Sequence, residues 1–135
     1  MKEVNRYTSN EFHDWQRSHL PRNFVLQDID TWALVWTEAK THEPFALVEL
    51  KRSYIAPAAW TPFQADAPNY ESLFRLAVRA SLPLWIIYFQ KDKRIEDASL
   101  FRVFRVKKVG GSPWIEYDDK LMSSKDFAAA FPNVF

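Results

Sequence analysis

The chain has 135 residues, 47% of them hydrophobic and 16% aromatic, which suits one folded core and excludes a disordered or fibrous protein. Its 18 basic and 17 acidic residues leave a net charge of +1, so the total charge neither indicates nor excludes a nucleic-acid partner. It has no cysteine, which excludes disulfides and cysteine-bound zinc, and no apolar run of the roughly 18 residues that a membrane span needs, so we expect a cytoplasmic protein without membrane contact.

Periodicity predicts the elements of the first half of the chain. Thr8 and Glu11 have the spacing of a capping box, which predicts a helix that Pro21 ends. β-branched and aromatic residues then predict one long strand, or two strands separated near Asp28. The predicted elements in chain order are a helix over 9–20, the strand or strands over 24–37, a polar turn over 38–44 and a strand over 45–52.

In the second half, Asn69 is the predicted N-cap of a helix whose apolar face begins at Tyr70, and Ser123 or Ser124 is the predicted cap of the last helix. The predicted elements are a proline-rich loop over 53–68, a helix over 69–82, a buried strand over 84–89, a charged connection over 91–97, strands over 100–108 and 114–117 turned by Gly110 and Gly111, and a helix ending at 130. This order predicts an α/β (α+β) fold, a single domain over 1–135 with a mixed sheet flanked by helices.

Carboxylates gather at one end of the hairpin predicted between the first strands. Glu49 and Lys51 close the second strand on one face, with Leu50 on the other, because strand side chains alternate. Asp28 and Asp30 begin the antiparallel strand, so they lie at the same end of the sheet. Carboxylates this close repel each other unless a cation lies between them, and oxygen ligands without cysteine suit Mg²⁺ or Mn²⁺. A nearby lysine can hold a water or offset charge on a phosphate.

The order of Asp30, Glu49 and Lys51 resembles the motif of the PD-(D/E)XK nuclease superfamily. The match runs from the acid Glu11 on the first predicted helix, through the hairpin, to the second predicted helix. Ile29 stands where the motif has a proline, a departure that the superfamily tolerates. The resemblance implies a restriction endonuclease-like core in the order αβββαβ, followed in this chain by a hairpin and a helix.

The resemblance also implies Mg²⁺-dependent hydrolysis of phosphodiester bonds, most strongly by a DNA endonuclease, with Mn²⁺ able to replace Mg²⁺. The implied metal ligands are Asp30, Glu49, the backbone carbonyl of Leu50 and Glu11. Lys51 would orient the attacking water, and it completes the catalytic set formed with the three acids. Two choices stay open: whether Asp28 or Asp30 is the first ligand, and whether Glu11 binds a second ion or the water shell of the first.

Further residues near the motif are candidates for contact with nucleic acid. They are Arg17, Arg22, Arg52, Trp60 and Gln64. The arginines would contact phosphates. Trp60 either stacks on an unpaired base or anchors its loop, and the anchor is favoured. Gln64 extends the motif as in some members of the superfamily, whereas Tyr70 is expected to pack its helix on the sheet.

Two classes of function therefore follow from the sequence. The first is a metal-dependent nuclease. DNA is favoured over RNA as its substrate, but the choice between them stays open, as does the choice among single-stranded, duplex and branched substrates. Its small size and helical acid also resemble the Holliday-junction resolvases, which act as dimers, so a homodimer is a further expectation. The alternative is a non-catalytic nucleic-acid or protein interaction module that retains a nuclease-like fold.

Overall fold

The computed structural model describes residues 14, 15, 17–19, 21, 29–36, 38–91 and 96–135. Residues 14, 15 and 17–19 are helical, in agreement with the first predicted helix over the part of it that is described. The described part of the first predicted strand begins at Thr31. Ile29 and Asp30 are described and lie outside any strand, so the alternative of one unbroken strand over 24–37 is wrong. Whether a separate strand precedes them concerns residues outside the described ranges.

Five strands form one mixed sheet whose spatial order follows the chain order. The strands are β1 (Thr31–Trp36), β2 (His42–Ser53), β3 (Leu84–Lys91), β4 (Glu96–Val109) and β5 (Ile115–Ser123). The helices are α1 (Ala67–Arg79) and α2 (Ser124–Ala130), with short 3₁₀ turns at Pro57–Ala59 and Gln64–Asp66. β2 and β3 are parallel, and the other neighbouring strands are antiparallel. The predicted mixed sheet with flanking helices is confirmed, whereas the restriction endonuclease-like core stays a prediction.

Helix α1 makes the crossover that the parallel pair β2 and β3 requires. Its buried side chains Tyr70, Leu73 and Ala77 recur every three or four residues and so form one apolar stripe. This stripe packs in one core with Leu47 of β2 and Ile86 of β3. The helix therefore covers the sheet face that carries the odd-numbered residues of β2, including Glu49 and Lys51.

Helix α2 covers the other face of the sheet. The buried residues of this second core are Ala46, Val48, Trp85, Val103 and Val134. Ser123 caps α2 as predicted, because its Oγ accepts a hydrogen bond from the backbone N–H of Asp126 at 3.0 Å. The sheet is thus covered by a helix on each face, and the two faces of β2 belong to different cores.

Some predicted boundaries were wrong. Helix α1 begins at Ala67 with Asp66 as its N-cap residue, so Asn69 lies inside the first turn and is not the cap. Pro68 favours this early start because the fixed φ of proline suits the first turn of a helix. Because Asn69 does not cap the helix, its side chain can contact the sheet instead.

The last two strands are longer than predicted. β5 extends to Ser123 because its pairing with β4 continues through a polar run, with Asp119 opposite Phe104 and Lys120 opposite Val103. The run has the composition of a connection, but strand pairing satisfies its backbone. Gly110 and Gly111 turn the hairpin with φ of 98° and 96°, as predicted. In the described ranges, no helix has the length and hydrophobicity needed to cross a membrane.

Candidate active site

The hairpin register brings two of the predicted acids face to face. Thr31 pairs with Val48, and continuing this register by one residue sets Asp30 opposite Glu49. The one irregularity of the hairpin lies between Ala33 and Leu34, on the other side of Thr31 from Asp30. Residues directly opposite each other in an antiparallel pair lie on the same face. The predicted register, with Asp30 on the same face as Glu49, is therefore confirmed.

Glu49 is the buried acid of this pair, with an exposed fraction of 7%. Asn69 Nδ2 donates a hydrogen bond to Glu49 Oε2 at 3.3 Å. The pKa of Glu49 is raised from its ordinary 4.5 to about 7, first by burial and then by the hydrogen bond and charge of Asp30, against the lowering effects of Lys51 and Asn69. A buried carboxyl with a carboxylate neighbour therefore binds a proton more tightly than an exposed glutamate does.

Asp30 is the exposed acid of the pair. Its Oδ2 accepts a hydrogen bond from the backbone N–H of Leu50 at 3.0 Å. This bond holds the carboxylate against β2 just before the first paired residue of β1. Asp30 is thereby fixed beside Glu49 by a backbone group of the motif itself.

Lys51 lies on the same face as Glu49, two residues along β2. Its Nζ is 3.9 Å from Asp66 Oδ2 and 5.4 Å from the centre of the Tyr70 ring. Both distances suit a weak attraction, an ion pair in one case and a cation–π contact in the other. The ammonium is therefore held by the first turn of α1, close to the two acids of the hairpin.

Tyr70 lies beneath the Lys51 ammonium, in the core between α1 and the sheet. Its side chain is fully buried, as the packing interpretation of the sequence predicted, but its hydroxyl has no hydrogen-bond partner among the described residues. Burial, and then the negative charges of Asp66 and Glu49, raise the pKa of this phenol. A buried donor without a partner is unusual in folded proteins.

Two contacts of the site were not predicted from the sequence, namely those of Asp66 and Asn69. Both residues lie at the start of α1 and three positions apart, which sets them on one face of the helix. The available signal was a pair of polar residues at a helix start after the Glu-x-Lys strand. That signal was interpreted only as a cap at Asn69.

The residues predicted to contact nucleic acid differ in their exposure and in the face on which they lie. Trp60 is 2% exposed and stacks on Tyr88 with ring centres 4.3 Å apart, so the favoured interpretation, an anchor, is confirmed and a base-stacking role is not supported. Arg52 is exposed but alternates with Lys51, which sets it on the opposite face of β2. Gln64 is exposed at the start of the 3₁₀ turn that leads to α1. Arg17 is exposed and pairs with Asp14.

Several predicted residues lie outside the described ranges: Glu11, Arg22 and Asp28. The choice between Asp28 and Asp30 as the first ligand is therefore not resolved by the position of Asp28. Within the described ranges, no three His, Asp or Glu side chains form a group that could hold a metal ion. The described donors are two carboxylates, those of Asp30 and Glu49, together with the backbone of Leu50.

Comparison of the chain with protein-family models, with curated proteins and with solved structures gave no match.

Proposed function

We propose that this protein is a metal-dependent nuclease that hydrolyses phosphodiester bonds, with DNA as its preferred substrate. The observation that carries the proposal is the meeting of Asp30 and Glu49. The hairpin register, continued by one residue beyond the pair Thr31 and Val48, sets them opposite each other, and Lys51 lies on the same face. The mixed sheet, with α1 crossing between parallel strands directly after the motif, is compatible with the fold that the resemblance implies. The preference for DNA and a dimeric state rest on the resemblance alone.

The donors present fit a small divalent cation. Mg²⁺ binds oxygen ligands and is commonly held by only one or two protein carboxylates, with water and substrate phosphate in its other positions. Asp30, Glu49 and the carbonyl of Leu50 would supply such a set. The pKa of Glu49 is raised to about 7 first by burial and then by the hydrogen bond and charge of Asp30, and a cation bound here would offset both the burial and the mutual repulsion of the ionised carboxylates.

In the proposed mechanism, the bound cation would supply electrostatic stabilisation of the charge that develops on the phosphate. Asp30 and Glu49 would hold the site together, and the hydrogen bonds from Leu50 and Asn69 would keep their oxygens oriented. Lys51 would orient the attacking water and offset the charge of the scissile phosphate. The ring of Tyr70 would stabilise the ammonium through a cation–π contact.

A cleavage assay tests the proposal. The panel comprises end-labelled single-stranded, duplex and branched DNA and single-stranded and duplex RNA, each incubated with Mg²⁺, with Mn²⁺ and with EDTA. We expect cleavage of at least one DNA substrate with either metal and none with EDTA. Asp30→Asn should abolish that cleavage. If none of the substrates is cleaved with either metal, the nuclease proposal is contradicted and the non-catalytic alternative is favoured.

A further inference from the structure

Asp66 occupies a helix-capping position without capping the helix. It is the N-cap residue of α1, but its side chain makes no capping hydrogen bond. Ser123, the N-cap residue of α2, does make one, to the N–H of Asp126. Aspartate is among the most effective N-cap residues, and its usual contact with the first helical turn stabilises the helix. At Asp66 that contact is replaced by the approach of Oδ2 to Lys51 Nζ at 3.9 Å.

The backbone of Asp66 is fixed by the segment that precedes it. Its N–H donates to the carbonyl of Phe63 at 3.0 Å, which closes the 3₁₀ turn. Upstream, Trp60 is stacked on Tyr88, and Arg102 Nη1 donates to the carbonyl of Ala58 at 2.8 Å. The carboxylate thus stands on an anchored loop, so its distance from Lys51 is set by the fold of the loop.

The two groups that hold the ammonium come from the same helix turn. Tyr70 follows Asp66 by four positions, so both lie on one face of α1, and the Lys51 Nζ lies near both. The charged partner of Lys51 on this side is Asp66, while Glu49 and Asp30 lie towards the hairpin. Asp66 therefore holds the ammonium from the helix and leaves the hairpin acids to other partners.

We propose that Asp66 is a positioning residue for Lys51, which keeps the ammonium beside the hairpin acids and out of direct ion pairing with them. Asp66 does not contact the substrate in this role. It acts through Lys51 by setting the position of the ammonium. Its contribution to the stability of the fold is small, because a partly exposed ion pair stabilises a protein little. The inference rests on the proposed nuclease function and adds to it a residue that the Glu-x-Lys motif does not contain.

A kinetic double-mutant cycle tests this inference. The variants are Asp66→Asn, Lys51→Met and the double variant, measured in the full chain on the best substrate of the cleavage panel. Asp66→Asn should lower kcat by roughly 10- to 100-fold, the loss typical of a misplaced catalytic group, with KM changed by less than about twofold. In the Lys51→Met background, Asp66→Asn should cause no further loss, because the residue through which it acts is gone.

Two further variants serve as controls. Asp66→Glu retains the carboxylate and should recover part of the lost kcat. Glu71→Gln removes an acid of the same helix that pairs with Arg75 on its exposed side, and should leave kcat and KM unchanged. Asp66→Asn should stay folded, because asparagine caps a helix as well as aspartate does and no capping bond is lost. Its melting temperature is measured alongside the kinetics.

Three results would overturn the inference. Wild-type kcat in Asp66→Asn would show that Lys51 needs no such partner. An equal further loss in the Lys51→Met background would show that Asp66 acts independently of Lys51. Both leave the nuclease proposal intact, because they are measured on an active wild-type chain. A wild-type chain that cleaves nothing with Mg²⁺ or Mn²⁺ would overturn the proposed function and this inference together.

Discussion

The buried side chain of Glu49 lies between a carboxylate, Asp30, and an amide, Asn69. Burial of an ionised acid beside another acid is unfavourable unless a cation or a proton compensates it. In the protein without a cation, the compensation is a proton, which explains why the pKa of Glu49 rises to about 7. The residue therefore links the stability of the fold to pH and, if the proposed site binds a cation, to cation binding as well.

We predict that, without divalent cations, the free energy of unfolding of the wild type falls relative to that of Glu49→Gln as the pH rises from about 5 to about 8. The folded pKa of Glu49, about 7, lies above its ordinary value of 4.5. The folded state therefore binds the extra proton, and the stability it provides is complete below about pH 4.5 and is lost as the pH rises through about 7. Glutamine cannot titrate, and it keeps an oxygen that accepts from Asn69.

Urea unfolding of the wild type and of Glu49→Gln across this pH range measures the difference between their free energies of unfolding. Glu49→Gln should be slightly more stable than the wild type near pH 5 and clearly more stable near pH 8. Glu71→Gln, in which an exposed acid is neutralised, should follow the wild type within about 0.5 kcal/mol at each pH. If Glu49→Gln is destabilised at every pH, the carboxylate is a structural group and its role as a ligand is not supported.

In the proposed mechanism, Lys51 takes part in the cleavage step but is not a ligand of the cation. We predict that Lys51→Ala retains affinity for the divalent cation, because the substitution removes none of the ligand oxygens. Cleavage should fall by about 10²–10⁴, the usual contribution of a positioned group in proton transfer. Binding of substrate should weaken far less. Cation binding, substrate binding and cleavage are measured in parallel on this one variant, and a cation affinity that falls as much as cleavage would make Lys51 a scaffold residue.

At the scale of the elements, the loop between β2 and α1 connects the motif strand to the helix that completes the site. The loop is proline-rich, yet its middle is tied to the sheet. Trp60 stacks on Tyr88, and the Tyr88 hydroxyl donates to the carbonyl of Ile55 at 2.6 Å and shares a hydrogen bond with Ser53 Oγ at 2.6 Å. These contacts hold the middle of the loop that leads to Asp66 and α1 against the sheet.

We predict that Tyr88→Phe lowers the free energy of unfolding by about 1–3 kcal/mol, because the hydroxyl is buried and its loss leaves the Ile55 carbonyl without its donor. The measurement is chemical denaturation near neutral pH. Tyr54→Phe is the matched control: it removes the same atom from a side chain that is 74% exposed and should change stability little. Equal effects of the two substitutions would show that the Tyr88 hydroxyl does not anchor the loop.

Element-scale features differed in how well the sequence predicted them. The faces of the hairpin followed from strand alternation, so the meeting of Asp30 and Glu49 was predictable once the strands were recognised. The start of α1 was not, because Asp66 and Asn69 are both good caps and the anchored loop decides between them. The contacts of Asp66 with Lys51 and of Asn69 with Glu49 depend on that choice, so they were not predicted.

At the scale of the whole molecule, the sheet keeps two cores apart. β2 contributes Leu47 to the core under α1 and Val48 to the core under α2, and Glu49 continues the α1 side. The composition and alternation predicted a mixed sheet with helices. They did not predict that the strands lie in chain order, or that β5 continues through acidic residues, because strand pairing depends on long-range partners that local patterns do not specify.

Asp30 and Glu49 are proposed to form a site for a divalent cation. The most direct test of this proposal is a calorimetric titration with Mn²⁺ at about pH 8, above the pKa of Glu49, on the wild type, Asp30→Asn, Glu49→Gln and the control Glu71→Gln. We predict saturable binding to the wild type and to Glu71→Gln, and loss of that binding in the other two variants. Binding that persists in both Asp30→Asn and Glu49→Gln, or its absence from the wild type, would show that these two acids do not form a cation site.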